Sequence, residues 1–255
     1  MELKDRTAIV TGASSGIGRE IAIAFAAEGA NVVLASPTET SKRDKHTQTT
    51  TEIIQENGGT VIYQETDVTV EDDVKELANV SIEEYGSIDI LVNNAGVLSE
   101  NPIHKTTEEQ WDTIHDVNLK GIYWCSKYTI PSLIKSSYGR IINMSSQRGL
   151  IGGAEAKTAA YDSSKGAVTN LTRQMAIDYG PKGIAVNAIC PGPIKSKMTP
   201  IETEESREQY LEDVLTPFIG DPEDIASAAV FLASDSGRYI HGHNFVIDGG
   251  YLVKP

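Results

Sequence analysis

Short apolar, β-rich runs alternate along this chain with longer helical patterns, and that alternation constrains the fold more than any other feature. Thr7 to Val10, Asn31 to Ala35, Thr60 to Gln64, Ile88 to Val92, Arg140 to Met144, Ile184 to Ala188 and Phe245 to Ile247 read as strands. Helices are predicted between them: Ile17 to Ala27, closed by Gly29; Thr49 to Asn57, ended by Gly58 and Gly59; and Val70 to Tyr85, with Gly86 behind. Further helical patterns run from Thr107 to Ile134, as one long or kinked helix, through the Tyr161 region to Tyr179, and from Pro222 to Leu232. Continuously apolar strands joined through helices make a parallel sheet covered on both faces. Right-handed crossovers then give an α/β, Rossmann-like, doubly wound sheet of about seven strands.

No linker, repeat or low-complexity segment divides the 255 residues, so a single domain over 1–255 is expected. One stretch breaks the rhythm, from Pro193 to Gly220. It holds Pro193, Pro200 and Pro217 and the acids Glu202, Glu204, Glu205, Glu208, Glu212 and Asp213. An insertion after the C-terminal end of a strand is where ligand lids occur. The acids read as a solvated helix face rather than a cation site. A hydrophobic content of 40% supplies a core. The net charge of -14 argues against nucleic acid and is read as solubility. No apolar stretch has membrane-spanning length, and a strand begins too early for a signal peptide. Cys125 and Cys190 are read as two buried thiols of a cytoplasmic protein.

The first strand runs directly into Thr11-Gly12-Ala13-Ser14-Ser15-Gly16-Ile17-Gly18, which opens the first helix. Glycines let a backbone turn tightly and approach a pyrophosphate, which a helix N-terminus attracts. The spacing is Gly-x-x-x-Gly-x-Gly, and its place at the first strand–helix junction favours a dinucleotide over a ligand-free turn. Farther on, Tyr161 and Lys165 stand four residues apart, one helical turn on one face. A tyrosine near pKa 10 is a poor acid or base at neutral pH, and an adjacent ammonium would favour its phenolate. Such a pair is suited to proton exchange with a substrate oxygen.

Taken together, Thr11 to Gly18, Asp67-Val68, Asn93-Asn94-Ala95-Gly96, Asn118, Ser145-Ser146, Tyr161 with Lys165, and Pro191-Gly192 resemble, in order and over essentially the whole chain, the short-chain dehydrogenase/reductase family. The resemblance implies an NAD(P)-dependent oxidoreductase with a catalytic set of Asn118, Ser146, Tyr161 and Lys165. Tyr161 would be the acid/base, Ser146 the group that orients the substrate oxygen, and Lys165 the ribose anchor that lowers the tyrosine pKa. Asn118 would hold a water linked to the lysine. It also implies cofactor contacts at Gly12, Ser14, Ser15, Gly16, Ile17, Gly18, Ser36, Asp67, Val68, Asn94, Ala95, Gly96, Pro191, Gly192, Ile194 and Ser196. Asp67 would meet the adenine edge, with a helix N-cap as its other reading. Pro191-Gly192 would pass beneath the nicotinamide, and Ser196 stands where relatives often carry threonine. The stretch from Ser146 to Tyr161 is a little longer than in many relatives. A homotetramer built through the long helices and the last strand is implied as well.

The second strand ends at Ser36, where an acid would select NAD. No acid repels a 2′-phosphate there, and Lys42, Arg43 and Lys45 follow in the next loop, so NADP is slightly favoured over NAD, with dual use open. Leu98, Gln147, Arg148, Leu150, Glu155 and the lid are the candidate pocket residues. Gln147 and Arg148 would suit a sugar, polyol or carboxylate-bearing substrate; alternatively Arg148 pairs with an acid at a subunit contact. His241-Gly242-His243 reads as a surface or interface pair with both rings on one side, and no metal is expected. Trp111 and Trp124 read as helix packing. The competing class is a dinucleotide-binding sensor or scaffold of the same fold without chemistry, and the full catalytic set argues against it.

Overall fold

The structure is a computed structural model that describes residues 1–40, 48–153, 157–196, 198–199, 201 and 203–254. Lys42, Arg43, Lys45, Glu155, Pro200 and Glu202 lie outside the described residues. The elements run β1 Thr7–Thr11, α1 Gly16–Ala27, β2 Asn31–Ser36, α2 Thr50–Glu56, β3 Thr60–Glu65, α3 Glu71–Tyr85 and β4 Ile90–Asn93. They continue with α4 Glu108–His115, α5 Gly121–Lys135, β5 Arg140–Met144, α6 Ala159–Tyr179, β6 Ala185–Pro191, α7 Glu204–Glu212, α8 Pro222–Ala233 and β7 Asn244–Ile247.

The seven strands form one sheet in the order β3-β2-β1-β4-β5-β6-β7, and every pairing is parallel. Both faces are buried, so the strands read as unbroken apolar runs, and alternate residues serve opposite cores. Ala8 and Val10 pack with Ile21 and Phe25 of α1 and Ile225 and Ala229 of α8. Ile9 points the other way, into a cluster with Val74 and Leu77 of α3, Cys125 of α5 and Met175 of α6. The chain reverses its winding between β1 and β4, which pair Val10 with Val92. That switch point, at the carboxyl ends of the strands, is where an open parallel sheet leaves a crevice for ligands.

The pattern from Thr107 to Ile134 forms one continuous helical run, α4 and α5 joined without a break by a π turn over Asp116–Lys120. A hydrophobic period does not register one wide turn, so the place of the π turn was not legible in the sequence. Strand limits differ from their expected form, and β6 runs on to Pro191. The fourth strand starts at Ile90 rather than Ile88, because the Ile88 N–H donates to Ser132 Oγ at 3.0 Å instead of joining the ladder. The segment from Pro193 to Gly220 contains a helix of its own, α7, capped by Thr203 with Ser206 and burying none of its residues. Its acids are a solvated face, as read. Both ends of the segment are tied down: Ile194 bridges Gly220, and the Leu215 N–H donates to Gly249 O at 2.8 Å. Among the described residues no helix is long and apolar enough to cross a membrane.

Candidate active site

Five strand ends converge on the crevice. At the end of β1, Gly12 and Gly16 take positive φ angles of 66° and 57°. A Cβ on Gly18 would stand 2.4 Å from both Asn94 Nδ2 and the Gly12 carbonyl oxygen, so only glycine lets α1 begin this close to β4. Asn94 Nδ2 donates to Thr11 O at 2.9 Å, and Thr11 Oγ1 accepts from the Asn94 and Ala95 amides, both at 3.0 Å. The first turn of α1 has no side-chain cap from Ser15 and no acid. A Cβ placed on Gly16 would find open space. A first turn with no side-chain cap from Ser15 and no acid, beside room at Gly16, fits the pyrophosphate of a dinucleotide.

Some expected cofactor residues can contribute only backbone. Val68 is 7% exposed and packs against Gly121 of α5, and Ile194 is 4% exposed within the α1/α8 core. Ser36 is buried at the end of β2 and donates its hydroxyl proton to Thr38 O at 2.9 Å. Asp67 is not the cap of α3, whose N-cap is Val70; its carboxylate accepts from Thr69 N and Oγ1 at 2.9 and 2.7 Å. Gly192 is explained by its neighbours: a Cβ there would meet the Asp248 Cα at 2.5 Å. Ser196 forms a bridge with Thr199 in the segment after β6.

The chemistry-bearing side chains meet over the ends of β4 and β5. Asn118 lies fully buried in the π turn. Its Oδ1 accepts from Val97 N at 2.8 Å, while Nδ2 donates to Val97 O at 2.9 Å and to Ser164 Oγ at 3.1 Å. The amide thus holds the loop after β4 to α6. Ser145 donates to Lys165 O at 2.9 Å and is structural, whereas Ser146 is directed to Tyr161. Ser146 Oγ accepts from Arg148 N at 3.1 Å, which leaves its proton for the tyrosine oxygen.

Lys165 does not depress Tyr161 as expected. Its Nζ sits 5.6 Å from the tyrosine ring centroid and donates to Met144 O at 2.8 Å. Burial dominates both groups. It raises the Tyr161 hydroxyl above its ordinary 10, and the hydrogen bond with Ser146 only opposes that rise. It lowers Lys165 to about 8. Gly96 leaves room beside this ammonium: a Cβ there would stand 3.6 Å from Lys165 Nζ and 3.4 Å from Asn118 Oδ1.

Arg148 is paired within its own chain. Its Nη2 donates to Thr158 Oγ1 at 3.0 Å, and its Nε lies 3.5 Å from Asp162 Oδ1 within the same chain. Gln147 is 7% exposed, and its Oε1 has no hydrogen-bond partner among the described residues. His241 and His243 do not share a side, since Gly242 at φ 68° breaks the alternation. The His241 ring accepts from Val186 N at 3.1 Å and bonds Ala176 O at 2.9 Å, while His243 lies edge-on to Phe245. Trp111 stacks on His115 at 4.2 Å, and Trp124 packs against the α3/α5 core. Cys125 and Cys190 are both free and buried. Sequence reasoning missed Thr11 as the hub of the turn.

A family model described as enoyl-(acyl carrier protein) reductase matches residues 12–252. A 3-oxoacyl-[acyl-carrier-protein] reductase FabG of Staphylococcus epidermidis is 36% identical over 98% of this chain and 100% of its own length. Glucose 1-dehydrogenase 2 of Bacillus subtilis is 35% identical over 100% of this chain and 97% of its own. Among solved structures, a short-chain type dehydrogenase/reductase from Mycobacterium marinum superposes with a TM-score of 0.92 at 30% identity, covering 99% of this chain and 98% of that one. With that fold and this crevice, the molecule is an oxidoreductase of the NAD(P)-dependent class. The chain belongs to the short-chain dehydrogenase/reductase family.

Proposed function

We propose that the chain oxidises a secondary alcohol, or reduces the matching ketone, with Tyr161 as the proton-exchanging group. The observation that carries this reading is the gathering of three side chains at one crevice: Ser146 caps the 3-10 turn that Gly149 lays on α6, and the buried Lys165 ammonium lies 5.6 Å from the Tyr161 ring on that helix. When bound, a nicotinamide cofactor takes up or supplies the hydride. Residues Gly12 to Gly18 would hold its pyrophosphate, and Asn94 to Gly96 with Lys165 its nicotinamide end. In oxidation, Tyr161 as phenolate takes the hydroxyl proton while Ser146 donates to the same substrate oxygen and fixes its position. In reduction the tyrosine returns the proton. Lys165, close to neutral pH in its titration, can replace that proton from its own.

The cofactor reading favours NADP, because Ser36 ends β2 without a carboxylate and its hydroxyl is already engaged by Thr38. On the substrate side, the Arg148–Asp162 pair removes the support for a carboxylate ligand. The unpartnered Gln147 Oε1 supports an added hydroxyl near the reacting carbon, as in a sugar or polyol. The lid fits a covering role, since Tyr210 of α7 feels the charge of Glu100 in the loop after β4. A panel of sugars, polyols, hydroxy acids and simple secondary alcohols, followed by the absorbance of reduced nicotinamide with each cofactor, tests this. Turnover of hydroxyl-rich alcohols with a higher kcat/KM for NADP is expected. A strong preference for NAD contradicts the cofactor reading, and turnover confined to hydroxy acids contradicts the substrate reading.

A further inference from the structure

Ser146 and Tyr161 arrive at the crevice from different elements. Ser146 caps a 3-10 turn, Gln147–Gly149, that follows β5, while Tyr161 lies in the first turn of α6. Gly149 lets the 3-10 turn lie directly on α6, since a Cβ there would stand 2.6 Å from Lys165 O. The end of β5 is tied to the same helix by Ser145 Oγ, which donates to Lys165 O at 2.9 Å, and by Lys165 Nζ, which donates to Met144 O at 2.8 Å, but neither bond reaches the first turn of α6.

Arg148 closes the gap. Its backbone N–H donates to Ser146 Oγ at 3.1 Å, so it already touches the catalytic hydroxyl. Its side chain, only 10% exposed, then crosses to the start of α6. There Nη2 donates to Thr158 Oγ1 at 3.0 Å, and Thr158 Oγ1 donates in turn to Asp162 Oδ1 at 2.9 Å. The Arg148 Nε lies 3.5 Å from the same carboxylate oxygen, whose side chain is 20% exposed. The guanidinium has a fitted seat: a Cβ on Gly153 would fall 1.0 Å from Nη1. Thr158 is also bridged to Asn101, so the loop after β4 is held by the same clasp. Arginine suits this place because its planar fork reaches two acceptors in fixed directions.

We propose that Arg148 is a positioning residue: closed onto Thr158 and Asp162, it holds the turn that carries Ser146 against the helical turn that carries Tyr161, and so sets how the two hydroxyls meet. The inference rests on the proposed role of Tyr161. It also gives the clasp an electrostatic effect. The titratable or charged groups facing Tyr161 are Asp162 and Lys165 on its own helix and Arg148 on the 3-10 turn, with Cys190 of β6 beside Lys165. Of these, the Asp162 charge raises the tyrosine and the Arg148 charge lowers it.

The test compares Arg148→Met, Arg148→Lys, Asp162→Asn and the Arg148→Met/Asp162→Asn double variant, with kcat in the oxidation direction measured against pH. Arg148→Met should lose about tenfold to a hundredfold in kcat, with little change in the cofactor KM. Its rising limb should move to higher pH, because the influence that lowers Tyr161 is gone. Asp162→Asn should move the limb to lower pH, the double variant should return it toward wild type, and Arg148→Lys should recover the limb position more than the rate. Limbs that stay in place while only the melting temperature falls would overturn the proposal and leave a purely structural clasp. Should Arg148→Met not fold, the limb of Asp162→Asn alone decides. Tyr161→Phe is the control: an active Tyr161→Phe sinks the reading beneath, whereas an inactive one with unmoved limbs sinks this inference alone.

Discussion

Burial, rather than mutual charge, governs the two groups nearest the chemistry. Lys165 sits under the crevice with its ammonium on a single carbonyl, and the cost of desolvation lowers it from 10.5 to about 8. Between those values the unfolded chain holds a proton that the folded chain has released. Stability therefore rises with pH through that window, and the penalty is fully present below about pH 8. Tyr161 and the two cysteines are raised and work in the opposite sense at higher pH, so the comparison must be with a variant lacking only the amine. Relative to Lys165→Met, the wild-type unfolding free energy should grow by up to about 3 kcal/mol between about pH 8 and pH 10 in urea titrations. A constant difference across that range would show that the amine keeps its ordinary affinity for protons.

At the level of elements, the crevice depends on close backbone approach more than on side-chain reach. The turn between β1 and α1 is packed against the end of β4 through Thr11, Asn94 and Gly18, with no room for a methyl group at Gly18. Gly18→Ala would push α1 away from Asn94 and from the Gly12 carbonyl, which is backbone and cannot rotate aside. A loss of about 1–3 kcal/mol in stability is expected, together with weaker cofactor binding in a fluorescence titration. Unchanged melting and unchanged affinity would contradict the packing described. The π turn between α4 and α5 plays a comparable part, since it seats Asn118 where its amide can hold Val97 and Ser164 together.

Across the whole molecule, the strands and their covering helices were readable because continuous apolar runs report burial on both faces. The crevice residues were expected as a set from the resemblance of their order to the family's, and the fold places Gly12 after β1, Asn94 after β4, Ser146 after β5 and Tyr161 in the first turn of α6. The clasp was not readable. Arg148 and Asp162 are fourteen positions apart, and only the folding of the intervening loop decides whether the cation meets that acid or a ligand. Nor could periodicity tell that Val68 and Ile194 turn inward, or that Gly242 separates the two histidines onto different surroundings. A spacing of four likewise places Lys165 on the same face as Tyr161 but says nothing of what its ammonium bonds, which is Met144 O.

We propose that the Tyr161 hydroxyl moves the proton in an NAD(P)-dependent alcohol oxidation. Turnover and cofactor affinity of Tyr161→Phe, measured side by side on the substrate found most active, test it directly. A loss of at least about a hundredfold in kcat is expected, with cofactor affinity within about threefold of wild type. Wild-type-like turnover in that variant would contradict it.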